Sequence, residues 1–415
     1  MGQLLSHPLT EKTIEYNDYK DHILGTNKLN KLNSRFYNCI GTMQGYRLTQ
    51  EDSHIVQNED DILEIDFYNP FKQKVEKLLI SLFAVFDGHG GDECSKFLSG
   101  DYSENNNKVD SSNDDSTKYR GVSKWIKYSF ENHEYGACNI HKVDSEFVVK
   151  KRQRDGRNDR IKVKRLFNTI EGLISQIIKD AFILQDKELY THFANSSCGS
   201  TGVMALLING EMLYVANCGD SRCILSSKNG GIKTMSFDHK PQHIGELLRI
   251  NDNGGTVSLG RVGGVLALSR AFNDFQFKRG VQYSDKTVNS SNLDNQSRFR
   301  IPPQESQVTV EPDVLMHKID YKKDEFLVIA CDGIWDVYSN KQLLRFIKYH
   351  LSMGTKLDNI LPKLLDHGIA QANSSTGVGF DNMTAIIVVL NKSGESLTDW
   401  YTKMKIRLER EKGLV

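Results

Sequence analysis

The sequence predicts a mixed α/β domain in which helices pack against antiparallel β-sheet. Residues 203–208 and 212–216 form two apolar runs, and the Asn209-Gly210 pair between them favours a type I′ hairpin turn. The continuous apolar run 77–86 is typical of a buried strand. A helix is predicted by one apolar stripe at helical spacing, formed by Ile170, Leu173, Ile174, Ile177, Ile178, Ala181 and Phe182.

The remaining elements follow from the same patterns. A strand at 223–226, after the Gly219-Asp220-Ser221 turn, would extend the hairpin into an antiparallel meander. Downstream, the patterns predict helices over 244–251, 340–351 and 357–372, and strands over 265–269, 325–330 and 383–390.

Composition changes divide the chain. Residues 1–35 are predicted to be a flexible N-terminal segment and 393–415 a helical tail. Within the 36–392 domain, residues 99–165 and 278–304 are polar and are predicted to be long insertions. The basic stretch 150–165 is typical of a solvated loop, with a nuclear-import signal or an acidic-partner site as the alternative.

Bulk composition excludes several function classes. The chain has 415 residues, 39% hydrophobic and 26% charged, which is normal for a soluble globular protein. Because 53 basic and 53 acidic side chains balance, no global field attracts nucleic acid or an anionic membrane, so a nucleic-acid partner is not expected. Seven cysteines, several in apolar runs, favour a reducing compartment, and we expect a cytoplasmic protein, with the nucleus or a membrane surface as alternatives.

Membrane contact would need a lipid. No run approaches the roughly 18 consecutive apolar residues of a membrane span, and no secretory signal is visible. Gly2 lies in a pattern, glycine second and serine sixth, that fits N-myristoylation, and an unmodified N-terminus is the alternative. A single acyl chain would bind membrane only weakly and reversibly.

Three aspartates lie at the boundaries of strongly apolar predicted strands. Asp87 follows the run 77–86, and Asp332 follows 325–330, while Asp381 precedes 383–390. If these strands are neighbours, the carboxylates meet at one sheet rim, where buried charges require neutralisation. Hard divalent cations, which take oxygen ligands, are the natural counter-charges. Because an Asp-Gly pair after a strand is also typical of an ordinary turn, the residues alone leave both interpretations open.

Ten segments in a fixed order carry a family resemblance. They are GTMQGYRLTQEDSH, VFDGHGG, CGST, ANCGDSR, DHKP, NGGTV, LALSRAFNDF, VEPDV, LVIACDGIWDV and FDNMTAIIVV. This series resembles the PPM family of metal-dependent protein phosphatases, also called type 2C, over residues 36–392, with the strongest likeness to fungal members. The resemblance implies a four-layer α/β (α+β) sandwich, in which two central antiparallel β-sheets are flanked by α-helices.

The resemblance also implies a serine/threonine phosphatase with two divalent cations, magnesium or manganese. Asp87 would bridge both ions, the Gly88 carbonyl would ligate one, and Asp332 and Asp381 would complete the other. Asp220 matches a position that contributes to a weaker third ion in some members. A water between the ions, with a lowered pKa, would attack phosphorus in line.

Further residues match the family's motifs outside the direct ligands. Arg47 matches the phosphate-binding arginine, whose guanidinium fork suits phosphate oxygens. Glu51 and Asp52 match acidic residues that hold metal-bound waters. His89 is a candidate to protonate the leaving serine or threonine oxygen.

One departure is Asn273, where the family commonly has glycine. If that position needs a positive φ, asparagine is the best substitute, so we expect activity to survive. The insertion 278–304 falls where the family has its substrate-proximal flap, so substrate choice is not carried over. Phosphorylated proteins are the expected substrates, and protein kinases are candidate partners. The expected setting is signalling, in a stress response or in down-regulation of a kinase cascade.

Other phosphatase classes fit less well. A cysteine-dependent phosphatase needs an arginine about six residues after its cysteine, and none of the seven cysteines has one. The Gly-Asn-His-Glu segment of the other metallophosphatase family is absent. An inactive binding module would have lost ligands that this chain keeps, and a small phosphate ester remains an alternative substrate.

Overall fold

The computed structural model describes residues 4–18, 36–58, 61–102, 119–138, 148–152, 158–162, 165–278, 280–281, 301–392 and 394–411. The helices in these residues are α1 (Glu93–Ser99), α2 (Gly121–Asn132), α3 (Ile170–Phe193), α4 (Ile244–Asp252), α5 (Asp332–Trp335), α6 (Asn340–Ser352), α7 (Leu357–Ile369) and α8 (Leu397–Arg410). Across the described ranges, none of them has the length and apolar character that a bilayer crossing requires.

The described residues also form strands, which are numbered in chain order. They are β1 (Leu4–Asn17), β2 (Asn38–Arg47), β3 (Ser53–Gln57), β4 (Leu63–Asn69), β5 (Lys74–Phe86), β6 (Gly88–His89), β7 (Gly136–Ala137), β8 (Val148–Arg152), β9 (Asn158–Lys162), β10 (Leu166–Phe167), β11 (Gly199–Ser200), β12 (Gly202–Ile208), β13 (Met212–Cys218), β14 (Arg222–Ser227), β15 (Ile232–Thr234), β16 (Val257–Ser258), β17 (Arg261–Val262), β18 (Phe272–Asn273), β19 (Asp313–Lys318), β20 (Asp324–Ala330) and β21 (Met383–Val389).

Two antiparallel sheets form the centre of the fold. The first sheet has the strand order β1-β2-β21-β20-β14-β15. The second has the order β19-β13-β12-β5-β3, with β4 also paired to β5. A short sheet, β18-β11-β6, lies beside them.

Burial on both faces explains why the central strands are continuously apolar. In β12, Val203, Ala205 and Leu207 face the core between the two sheets, whereas Met204 and Leu206 face a second core. Alternate side chains of a strand point to opposite faces, so a strand covered on both sides needs apolar residues throughout.

Helices cover the outer face of each sheet. Residues of α6, α7 and α8 pack on the first sheet and residues of α1, α2 and α3 on the second, with buried side chains such as Leu343, Leu361, Trp400, Phe130 and Phe182. The order of layers is therefore helices, sheet, sheet, helices. The predicted four-layer α/β sandwich with two antiparallel sheets is confirmed.

The N-terminal segment differs from the prediction of flexibility. Residues 4–17 form β1, which pairs with β2 at the edge of the first sheet. Ile14 and Tyr16 pack against the core, and the Tyr16 hydroxyl lies 3.0 Å from that of Tyr401 in α8. The sequence pattern did not predict this strand because Pro8 interrupts the alternation of side chains that is typical of a strand. An edge strand tolerates a proline where a central strand does not.

The predicted insertions and tail also contain structure. Within 99–165, α2 buries Val122, Ile126 and Phe130 against the second sheet's helical layer, so this part is ordered. The backbone at 148–152 and 158–162 forms a hairpin. Helix α8 occupies most of the predicted C-terminal tail. Most of the other predicted insertion, at 282–300, lies outside the described residues.

Two strand predictions are wrong in detail. β14 pairs with β20 and β15 of the first sheet, so the chain changes sheets at Gly219-Asp220-Ser221 instead of forming a meander. Residues 265–269 form turns and a single bridge, Val262 to Leu266, because they belong to a small separate core around Ile250 and Leu268. The hairpin turn is as predicted, with φ of 52° at Asn209 and 65° at Gly210.

Candidate metal centre

Three strand ends meet at one rim of the sandwich. Asp87 follows the last residue of β5 in the second sheet, whereas Asp332 follows β20 and Asp381 precedes β21 in the first. Because β20 and β21 are antiparallel neighbours, the end of one and the start of the other lie at the same edge. The backbone N–H of Asp332 donates to Asp87 Oδ2 at 3.4 Å. The structure therefore brings carboxylates of both sheets together.

These aspartates line a cleft of about 720 Å³. The cleft also contains most of the other residues singled out from the sequence: Arg47, Glu51, Gly88, His89 and Asp220. Asp52 lies beside it, since its carboxylate, that of Asp87 and the Cys331 thiol have ligand atoms within 4.8 Å of one another.

Buried negative charge dominates this site. Burial, reinforced by the charges of Asp332, Asp52 and Asp381, raises the pKa of Asp87 well above its ordinary value. Burial and the charges of Asp220 and Asp381 likewise raise the pKa of Asp332. For Asp52, burial outweighs hydrogen bonds and raises the pKa to about 7. Such a cluster is stable in its ionised form only beside positive charge.

The donor set fits hard divalent cations. Asp52 Oδ2 is buried and has no hydrogen-bond partner in the described part of the chain, so a polar group is available for a ligand shell. The converging donors are carboxylate and carbonyl oxygens, which magnesium and manganese prefer. Burial raises the pKa of the Cys331 thiol well above its ordinary value, which opposes formation of a thiolate beside these oxygens.

Arg47 brings the opposite charge to the same cleft. Its Nη2 lies 2.5 Å from Asp381 Oδ2, and 41% of its side chain is exposed. Burial lowers the pKa of Arg47, but the charge and hydrogen bond of Asp381, together with the charges of Asp332 and Asp87, outweigh this effect and raise it. A cation at the end of β2 thus lies beside the carboxylates, where an anionic substrate would enter.

Asn382 orders the turn after Arg47, a role that the sequence analysis missed. Its Oδ1 accepts from the Glu51 N–H at 3.0 Å, and its Nδ2 donates to the carbonyls of Gln44 at 2.8 Å and Thr49 at 3.0 Å. The turn that carries Glu51 and Asp52 is therefore fixed to the loop that carries Asp381. The Asp-Asn pair was the available signal, because an asparagine side chain can satisfy several backbone groups at once.

The glycines of the two Asp-Gly pairs allow the loops to approach closely. A Cβ on Gly88 would collide with the carbonyl of Glu51, and a Cβ on Gly333 would collide with the carbonyl of Asn382. The Ser95 hydroxyl also donates to the Glu51 carbonyl, at 2.5 Å. These pairs are therefore tightly packed junctions between the segments that carry the carboxylates.

His89 is paired with an aspartate that the sequence analysis did not select. His89 Nε2 lies 2.8 Å from Asp274 Oδ2, and the Asp274 side chain is 2% exposed. Burial lowers the pKa of His89, but the charge and hydrogen bond of Asp274 outweigh it and raise the pKa. Only the fold could reveal this pair, since the two residues lie 185 positions apart.

Asn273 has the backbone conformation expected for a glycine substitute. Its φ is 60°, and Asp274 follows with a φ of 49°. The Asn273 side chain donates to the Cys198 carbonyl at 2.5 Å, a contact that glycine cannot make. Asparagine is among the residues that tolerate this conformation best, so the departure leaves the turn intact.

Asp220 lies in the segment where the chain passes from one sheet to the other. Its side chain is buried and forms an ion pair with Lys240. Burial lowers the pKa of Lys240, but the charge and hydrogen bond of Asp220, together with the charges of Asp332 and Asp238, outweigh it and raise the pKa. Gly2, by contrast, lies outside the described residues, as do parts of the basic stretch 150–165.

Comparisons with known proteins point to one family. Residues 137–377 match the family model described as protein phosphatase 2C. Protein phosphatase 2C homolog 4 of Saccharomyces cerevisiae is 67% identical over 415 residues, covering 100% of both chains. Protein phosphatase 2C homolog 3 of Schizosaccharomyces pombe is 33% identical over 413 residues, covering 100% of this chain and 75% of the relative.

Solved structures share the fold. A phosphatase from a pathogenic strain of Toxoplasma gondii has a TM-score of 0.55 at 18% identity, covering 91% of this chain and 95% of that one. A Caenorhabditis elegans sex determining protein has a TM-score of 0.56 at 19% identity, covering 90% and 68%.

The family match covers more than half of the chain, and the first of these fungal relatives aligns with all of it. The predicted enzyme class, a protein serine/threonine phosphatase, and the likeness to fungal members are confirmed. The family uses divalent metals, in keeping with the acidic cluster. This chain belongs to the protein phosphatase 2C family.

Proposed function

We propose that the chain hydrolyses phosphoserine and phosphothreonine of protein substrates in this cleft, with two divalent cations, magnesium or manganese. The observation that carries the proposal is the meeting of Asp87 and Asp332, from different sheets, at a half-buried position beside Arg47. Like charges clustered in a cleft that also contains a cation suit a metal-assisted reaction of an anionic substrate.

The residues that would hold the ions are those at the strand ends. Asp87 would contact both ions, the Gly88 carbonyl one of them, and Asp332 and Asp381 the other. Asp220 would contribute to a weaker third ion. When bound, the ions supply Lewis-acid stabilisation of the phosphoryl oxygens and lower the pKa of a bound water.

The protein's own groups orient the substrate and move protons. Arg47 would bind phosphate oxygens through its guanidinium fork, once these replace Asp381 as its partner. Glu51 and Asp52 would accept hydrogen bonds from waters at the site, since Asp52 Oδ2 has no partner of its own among the described residues. His89 would donate a proton to the serine or threonine oxygen as it leaves.

Asp332→Ala tests the metal centre. We expect phosphatase activity on a phosphothreonine peptide to fall more than roughly 100-fold. Loss of a residue that only hydrogen-bonds to a metal ligand already lowers metal affinity or activity about 10- to 100-fold. Saturating EDTA should abolish the activity of the unaltered protein. Asp320→Ala, at a half-exposed aspartate outside the cleft, is the control and should retain activity.

Two results would contradict the proposal. Activity unchanged in Asp332→Ala would exclude the metal assignment. Unaltered protein that shows a manganese-dependent rise in melting temperature but no turnover of any phosphopeptide or small phosphate ester would be an inactive binding module.

The cellular role is part of the same proposal. Removal of phosphate reverses the action of protein kinases, so we propose a role in down-regulation of a kinase cascade. We propose the cytoplasm as the location of this activity. Trapping of phosphoproteins on an Asp332→Ala variant, followed by phosphoproteomics, would identify the substrates. Recovery of no kinase or kinase substrate would argue against this role.

A further inference from the structure

His89 and Asp274 form a built pair at the wall of the cleft. The Nε2 to Oδ2 distance is 2.8 Å, and both residues line the cleft that contains the aspartates. The other ring nitrogen, Nδ1, has no hydrogen-bond partner among the described residues, and the His89 side chain is 29% exposed. The imidazole is thus held by protein at Nε2, and part of the ring is exposed where His89 lines the cleft.

The short sheet β18-β11-β6 creates this arrangement. Gly199 in β11 pairs with His89 in β6 on one side and with Asn273 in β18 on the other. A Cβ on Gly199 would collide with both Asp274 Oδ2 and His89 Nε2. Glycine at this position therefore leaves the space in which the two side chains meet above the backbone.

A buried ion pair fixes the turn that presents Asp274. Asp186 of α3 accepts from the Asn273 N–H at 2.8 Å and from Lys278 Nζ at 2.8 Å. Lys278 Nζ also donates to the Ala271 carbonyl at 2.9 Å. The turn is thus anchored to α3 on both sides of Asp274, which keeps the carboxylate in place despite two successive residues with positive φ.

We propose that Asp274 is a positioning residue that orients His89, so that Nδ1 is the atom that donates a proton to the leaving group. The inference rests on the proposed proton-donor role of His89. Asp274 accepts a hydrogen bond from the Nε2–H group throughout the reaction and does not contact the substrate. A histidine held by a carboxylate at one nitrogen has its ring plane and its tautomer fixed, as in other catalytic and metal-binding histidines.

The proton balance is simple. As the bond between phosphorus and the serine or threonine oxygen breaks, its electron pair goes to the oxygen, which takes the proton from Nδ1. The electron pair of the Nδ1–H bond stays on the ring, which becomes a neutral imidazole that still donates Nε2–H to Asp274. Water returns the proton to Nδ1 after the product leaves.

This role predicts a dependence on the leaving group. A serine or threonine alkoxide is strongly basic and needs a proton as it departs, whereas p-nitrophenolate is a stable anion and does not. Loss of an oriented acid should therefore slow hydrolysis of a phosphothreonine peptide and leave hydrolysis of p-nitrophenyl phosphate nearly unchanged. Damage to the metal centre would slow both.

Two substitutions at position 274 separate orientation from folding. Asp274→Gly removes the acceptor, and glycine suits the φ of 49°, so the turn keeps its conformation. Asp274→Asn keeps the size and an acceptor oxygen but loses the charge. Asp324→Asn is the matched control, because Asp324 is also buried and also lies 2.8 Å from a histidine, His317, outside the cleft.

We expect kcat for the phosphopeptide to fall about 10- to 100-fold in Asp274→Gly, which is less than the roughly 10²- to 10⁴-fold contribution of a positioned acid, because His89 itself is still present. The Asn variant should lose less, KM should stay constant, and kcat for p-nitrophenyl phosphate should change less than about threefold. His89→Ala should show the same selective loss, and the His89→Ala, Asp274→Gly double variant should be no slower than His89→Ala. Asp324→Asn should not change the ratio of the two rates.

Each other outcome overturns the inference in a distinguishable way. If His89→Ala lacks the selective loss, the proton-donor role fails and the inference with it. If His89→Ala shows the loss but Asp274→Gly slows both substrates equally, or neither, only the role of Asp274 is refuted. A further loss in the double variant would mean that Asp274 acts independently of His89. Circular dichroism on each variant distinguishes these results from unfolding.

Discussion

The ion pair between Asp186 and Lys278 gives a direct test of how the turn beside the active cleft is stabilised. Their side chains are 0% and 1% exposed, and both Asp186 oxygens accept from Lys278 Nζ, at 2.8 and 3.0 Å. Asp186→Asn leaves the ammonium buried beside a neutral amide. Breaking a buried pair from one side costs about 3 to 5 kcal/mol, so we expect the free energy of unfolding to fall by about that amount.

Removing both charges should cost less than removing one. In Asp186→Asn with Lys278→Met, the amide oxygen can still accept from the Asn273 N–H, and no buried charge is left. We expect this double variant to lie within about 2 kcal/mol of the unaltered protein, which corresponds to strong coupling between the sites. Urea unfolding followed by circular dichroism measures each value.

The exposed pair Lys72 and Glu76 provides the control. Lys72 is 60% exposed, and exposed pairs contribute only about 0 to 1 kcal/mol, so Lys72→Met should have little effect. The reasoning would be refuted if Asp186→Asn lowered the free energy of unfolding by less than about 1 kcal/mol. It would also be refuted if the loss in the double variant equalled the sum of the losses in Asp186→Asn and in Lys278→Met measured separately.

Three further predictions concern pH, cations and the N-terminus. Burial alone would raise the pKa of Glu246, but hydrogen bonds and charge from Arg270 outweigh it and lower the pKa from 4.5 to about 2. The lowered pKa of Glu246 contributes about 3 kcal/mol to the free energy of unfolding. This contribution is present above pH 4.5 and is lost as the pH falls toward 2. Urea unfolding at about pH 6 and about pH 3 should therefore show a smaller pH effect in Glu246→Gln, and an equal effect would contradict the assignment. Manganese at about 100 times its Kd should stabilise the protein by about 2.7 kcal/mol in thermal unfolding. Asp87→Asn should raise the melting temperature measured without cations and abolish the rise that manganese causes. A manganese-dependent rise that persists in this variant would exclude Asp87 as a ligand. Intact-mass measurement after expression in a eukaryotic host should show a myristoyl group on Gly2 that Gly2→Ala removes, and an unmodified mass would refute acylation.

Local patterns predicted many of the elements and the convergence of Asp87, Asp332 and Asp381 at one rim, while their role as metal ligands stays a prediction. Asp87 and Asp332 were identifiable because an uninterrupted apolar run marks a strand covered on both faces, and a polar residue at its end must lie at a rim. The pairing of strands that are distant in the chain was harder to predict from the sequence. The sequence around Cys223 indicates a strand but not the sheet it joins, so its place in the first sheet emerged only from the fold.

The missed residues share one cause. Asp274 and Asn382 contact partners far along the chain, and local sequence patterns do not reveal such contacts. For β1, Pro8 disrupts the alternation that marks a strand, although an edge position tolerates it. Residues 265–269 are apolar because Leu268 enters a small local core, a context that apolarity alone does not distinguish from a strand.

The bare backbone at Gly88, Gly199 and Gly333 has a consequence for interpreting natural variants of this chain. None of the three contributes a side chain, yet one added methyl group at any of them would strike a loop or a side chain of the cleft that contains the aspartates. Alanine, usually the mildest replacement, would there be among the most damaging. A genetic screen that scored only charged or ionisable positions would overlook these sites of inactivation.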